Sequence, residues 1–145
     1  MGTWDIGPFD NDTAADFGGD LDATALEERE ALIRGALKRA AYPADFLHTF
    51  DGERAVAAAA LVVAQHPDGK RTCSNYGPSE SLPELPAELR ALAVDALDQV
   101  LSERSELAEL WDDAANGPKW RHDITRLRDV LDPPVPPQEE ALFTI

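Results

Sequence analysis

Residues 55–64 read Ala-Val-Ala-Ala-Ala-Ala-Leu-Val-Val-Ala, and a helix built from them has no polar side. A helix that is apolar all round is enclosed by protein. The run is also far short of the about 20 apolar residues that span a bilayer. It therefore predicts a core helix, Glu53 to Gln65, capped at Asp51-Gly52 and crossed closely by its neighbours over the four alanines Ala57–Ala60. The rest of the chain has to supply the walls.

Helical spacing supplies them on both sides. Leu26, Ile33, Leu37 and Ala40 mark one face of a helix from Ala23 to Ala41, capped by Asp22 or Thr24. Glu27, Glu28 and Glu30 precede Arg34, Lys38 and Arg39, an order that complements the helix dipole, and Glu30 with Arg34 forms an i,i+4 pair. Tyr42-Pro43 ends it, and 44–50 reads as an apolar connection. Beyond Pro83 and Pro86, Leu89, Leu92, Ala93, Ala96, Leu97, Val100 and Leu101 form the cleanest amphipathic stripe of the chain. Ser105 caps a short helix with Leu107, Leu110 and Trp111 on its inward edge, and Asn116-Gly117-Pro118 stops it. A last helix, Lys119 to Leu131, carries Trp120, Ile124, Leu127 and Leu131 on one stripe. No strand alternation or internal repeat is visible. The expectation is an all-α, single-domain bundle of five or six helices over residues 1–145, with a proline-rich tail at 132–145.

The N-terminus is expected to dock on that bundle. Trp4, Ile6 and Phe9 are large apolar side chains set among Gly2, Gly7 and Pro8, and they gain free energy only by burial. Asp10, Asn11 or Asp12 then caps a short helix holding Ala14, Ala15, Asp16 and Phe17, with Gly18-Gly19 as its break.

Gly2-Thr3-Trp4 followed by Gly7-Pro8-Phe9-Asp10-Asn11-Asp12-Thr13-Ala14-Ala15-Asp16-Phe17 resembles the opening of a bacterial family known as domain of unknown function 4259. The likeness continues through Tyr76-Gly77-Pro78, the Leu82-Pro83-x-Leu85-Pro86 run, Ser105-Glu106-Leu107-Ala108-Glu109-Leu110-Trp111 and Trp120. Asp5 stands where members of the family usually carry glycine. The resemblance implies a small helical cytoplasmic protein and brings no catalytic residues with it.

The sequence holds 28 acids against 13 bases, a formal charge of −15. Such a surface repels nucleic-acid phosphates and anionic membranes and attracts basic partners. Cys73 is the single cysteine, so neither an intramolecular disulfide nor a cysteine metal cluster is available. The N-terminus has acids where a secretion signal has bases, which points to the cytoplasm.

Candidate chemistry is thin. Asp10, Asp12, Asp16, Asp20 and Asp22 invite a calcium loop, yet a frame from Asp10 puts Ala15 and Leu21 where glycine and glutamate are needed, and one from Asp20 puts Ala25 and Ala31 there. His48, His66 and His122 have no metal-ligand spacing, and around Cys73, beside Lys70 and Arg71, no catalytic His-Asn constellation is visible. Neither a phosphate loop nor a nucleophile elbow occurs. No catalytic, metal or cofactor site is expected. Trp4, Trp111 and Trp120 read as core in preference to a ligand-stacking set, and Tyr76 reads as an anchor of the 66–82 loop. The expected function is a non-enzymatic, acidic protein-binding module, immunity-like or regulatory, that meets a basic protein. Trp4, Phe9, Asp10, Asn11, Asp12, Asp16, Tyr76, Trp111 and Trp120 stand out as interaction or motif residues. The alternative is an enzyme or small-ligand binder using the 66–82 loop and the aromatics.

Overall fold

The computed structural model describes residues 11–43, 45–65 and 85–132. Within them lie six α-helices: α1 Asp12–Ala23, α2 Leu26–Ala41, α3 Thr49–Gln65, α4 Glu88–Val100, α5 Glu106–Asp112 and α6 Gly117–Leu131. No strand occurs among the described residues, where the extended pairing is an isolated parallel bridge between Leu47 and Ser105. The chain is all-α, as its periodicity predicts. Trp4, Phe9, Asp10, the 66–82 loop with Cys73 and Tyr76, and the tail from Pro133 onward lie outside the described residues.

α3 is the central helix. It packs against each of the other five, and Ala55, Ala57, Ala58 and Ala59 are completely buried. Small side chains here let α2 and α4 approach it while packing on each other. α1 lies on α3, and α6 packs on α4, α3 and α5. Phe17, Leu21, Ile33, Leu37, Leu89 and Ile124 fill the spaces between helices.

Several boundaries differ from the sequence reading, each for a local reason. α1 runs straight through Gly18-Gly19. Two interior glycines cost about 1 kcal/mol each, but Phe17 and Leu21 on either side are fully buried, and such side chains return about 1.5–3 kcal/mol apiece. The break falls instead at Thr24-Ala25. There the Thr24 hydroxyl donates back to the Asp20 carbonyl at 2.6 Å, so it closes α1 and does not cap α2. Arg29 Nε fastens the same corner by donating to the Thr24 carbonyl at 2.9 Å. Leu26, at the very start of α2, is 49% exposed and outside the core stripe.

α3 starts a full turn before Glu53, so Asp51-Gly52 lies inside the helix and is not its cap. α4 begins after Pro86, whose carbonyl accepts from Leu89 N–H at 3.0 Å, and its buried stripe is the one expected. In α5 the inward side is formed by Leu107 and Ala108, with Trp111 half-buried, while Leu110 faces outward at 39% exposure. Gly117-Pro118 opens α6 as well as separating it from α5.

Candidate functional site

α1 is entered through Asn11. Its side-chain Oδ1 accepts from Ala14 N–H at 2.7 Å, so of the three possible caps the asparagine serves. With Asn11 spent on the backbone, Asp12 and Asp16 are left exposed one turn apart, and Asp20 continues the same stripe. Asp12 sits in the first turn, where a negative charge complements the helix dipole. Asp16 has no such compensation.

Beneath that stripe α3 places Arg54. Its guanidinium carbon lies 4.8 Å from the centre of the Phe17 ring and 5.5 Å from that of Phe50, over both rings. It reaches Asp20 at 3.9 Å, the outer limit of an ion pair, and its Nε is buried without a hydrogen-bond partner. Aromatic faces hold this cation more than hydrogen bonds do. Phe17 is fully buried, whereas Phe50, one turn before Arg54 on α3, is 56% exposed. Sequence reasoning left Arg54 and Phe50 out. Their i,i+4 spacing is a usable signal once Phe50 is placed on the first turn of α3 and not on the connection before it.

At the other end, Trp111 and Trp120 come together, rings parallel within 7° and centroids 5.8 Å apart. Trp120 is buried in the core, and Trp111 covers it. The stack is clamped by Arg121, which donates Nε and Nη2 to the two carboxylate oxygens of Asp112 at 2.7 and 2.9 Å and Nη1 to the Leu101 carbonyl at 3.3 Å. That clamp holds the Asp112 carboxyl below the ordinary aspartate range and raises the Arg121 guanidinium. The tryptophan pair is an element of packing.

The N-terminus of α3 is finished by a residue from α5. Glu106 Oε1 accepts from both Thr49 N–H and Thr49 Oγ1–H at 2.8 Å. These two bonds, backbone first, hold the Glu106 carboxyl below its usual value, with a smaller contribution from His48. The strands of chain around it are pinned by Leu47 N–H to the Arg104 carbonyl at 2.8 Å and Glu106 N–H to the Leu47 carbonyl at 2.9 Å. No sequence signal links positions so far apart.

Charge is distributed unequally between structure and surface. Arg34 bridges Glu30 at 2.9 Å and Glu88 at 2.6 Å, joining α2 to α4, and Arg128 holds Asp98 at 2.6 Å, joining α6 to α4. Arg126 takes Asp123 at 2.9 Å. Asp12, Asp16, Glu27, Glu28, Asp95, Glu109 and Asp113 are exposed and engaged in no hydrogen bond or ion pair of their side chains. Lys38, Arg39, Arg90 and Lys119 are the comparable exposed cations of the described residues. Among the described residues no group of three or more His, Cys, Asp or Glu side chains is arranged to hold a metal ion. No described helix is long and apolar enough to cross a membrane.

No curated protein and no solved structure gives a significant match to this chain. The profile of one family, described as Domain of unknown function (DUF4259), matches residues 2–123, a span that takes in α1 to α5 and the first turns of α6. The chain belongs to the DUF4259 family.

Proposed function

We propose that this protein is a non-enzymatic binding module whose carboxylates meet a basic protein partner, in an immunity-like or regulatory role. The observation that carries the reading is the division of charge just described. The arginines at helix junctions are consumed in ion pairs within the fold, while the unengaged charge on exposed helix faces is predominantly negative. An excess of exposed carboxylates raises the local concentration of cationic partners and speeds their encounter. It also costs stability through self-repulsion, so a surface kept this way fits a role in recognition.

The test is salt dependence. A partner captured from native extract and then purified should bind tightly at low ionic strength, and its association rate should fall steeply as salt is added. Affinity indifferent to ionic strength removes the electrostatic reading.

A further inference from the structure

Leu26, Tyr42, Phe50 and Leu110 are the large apolar side chains exposed among the described residues. Phe50 alone among them lies under a cation, Arg54, which also covers the buried Phe17 ring and reaches Asp20. The ring is thus an outward extension of the core, held in place before any partner arrives. A held aromatic surrenders little conformational freedom on binding, which is why such side chains serve as anchors at interfaces. Asp20 of α1 reaches the same guanidinium, and Asp16 and Asp12 continue the exposed acidic stripe from it, one and two turns back along α1.

We infer that this α1–α3 face is the docking site, with Phe50 as its apolar anchor and the aspartate stripe as its charged rim. It takes a basic segment of a different protein, in which an apolar side chain is flanked by lysine or arginine. The inference rests on the binding role proposed above. Charge decides the occupant. A second copy of this chain would bring another formal charge of −15. The chain's own segment from Pro133 to Ile145 carries Glu139 and Glu140 and no lysine or arginine. Both are repelled by the stripe, and like charges across an interface are strongly disfavoured. A cationic segment is attracted, and an apolar residue within it covers Phe50.

The experiment uses the full chain and two dye-labelled peptides of equal charge, an amphipathic helical peptide of leucine and lysine and a lysine-only peptide, titrated by fluorescence anisotropy. The expected result is tighter binding of the leucine–lysine peptide, weakened about tenfold by Phe50→Ala while the lysine-only peptide is unaffected; tenfold corresponds to about 1.4 kcal/mol. Asp12→Lys with Asp16→Lys should weaken both peptides at low salt. Neither aspartate has a side-chain partner, so the reversal costs only the helix-dipole contribution of Asp12, which a thermal melt of the variant measures separately. Glu109→Lys with Asp113→Lys, on and just beyond α5, changes the net charge equally and should weaken binding less than the α1 pair does. If those α5 reversals weaken binding as much as the α1 reversals do, or if Phe50→Ala has no effect in a protein with an unchanged melt, this site is wrong while the acidic binding role stands. If neither peptide binds at low ionic strength, the binding role itself is overturned.

Discussion

Gly117 is where α6 turns back on α5, and a methyl group there would run into the Trp111 backbone carbonyl. A flexible side chain could move aside, but a carbonyl within a helix end cannot without moving the corner. The neighbouring Trp111–Trp120 stack and the Asp112–Arg121 clamp both depend on that corner. Gly117→Ala should therefore destabilise by about 1–3 kcal/mol, the usual cost of overpacking, and should disturb tryptophan fluorescence. Gly35 is its counterpart in the middle of α2, exposed and with nothing within 4 Å of an added methyl. There the same substitution removes only unfolded-state freedom and should stabilise by about 0.4–1 kcal/mol. Denaturant midpoints of the two variants, measured against the parent protein, should move in opposite directions. A shift of the same sign in both would show that the α5–α6 corner gives way more easily than its geometry implies.

Among the helices, α3 has the least ordinary beginning. A helix start needs acceptors for its free N–H groups, and here Glu106 of α5 provides one from far along the chain. Because the Glu106 carboxyl is held below its ordinary value, its ionised form is the one that stabilises the fold. The sign follows: the contribution is present above the unfolded glutamate value of about 4.3 and is lost as pH falls through the lowered folded value. Melting temperatures of the parent and Glu106→Gln proteins should differ at neutral pH and converge on acidification. A gap that stays constant with pH would mean that the charge on Glu106 is immaterial. This contact also shows what a sequence conceals. The central position of α3, the buried stripes of α4 and α6, the Glu30–Arg34 pair and the Ser105 cap were legible, because each depends on residues within a turn or two of one another. The run of α1 through Gly18-Gly19 was not, since buried Phe17 and Leu21 override a local preference. Nor were the Glu106 cap and the seating of Arg54 on Phe17, which join separate elements and leave no spacing to read. Of the proposed site, Asp12 and Asp16 and the sign of the charge stand in the sequence reading, while Phe50, its proposed anchor, does not.

For the whole molecule the dominating quantity is the charge of −15. Added salt acts on it in two opposing ways. It weakens ion pairs such as Arg34–Glu88 and Arg128–Asp98, and it screens repulsion among the unengaged acids. Half-exposed pairs of this kind contribute only about 0.2–1 kcal/mol each, and their charges touch, so screening reaches them least. Repulsion between separate helix faces acts over distances comparable with the Debye length, about 10 Å at 0.1 M salt, and is removed first. Repulsion should win. The melting temperature should rise as sodium chloride is added at constant pH, chloride being chosen because sulfate would strengthen apolar burial on its own. Asp16 localises the effect. It lies between Asp12 and Asp20 on one stripe of α1, and each like-charge i,i+4 pair costs about 0.2–0.5 kcal/mol. Asp16→Asn removes both pairs while leaving Asp12 at the favourable end of the helix dipole, so it should stabilise by about 0.4–1 kcal/mol at low salt. That gain should shrink as salt rises, because salt has already done the same work. If Asp16→Asn is neutral at low salt, or if the parent protein melts lower as salt is added, the negative surface is not under strain and its excess charge costs the fold nothing.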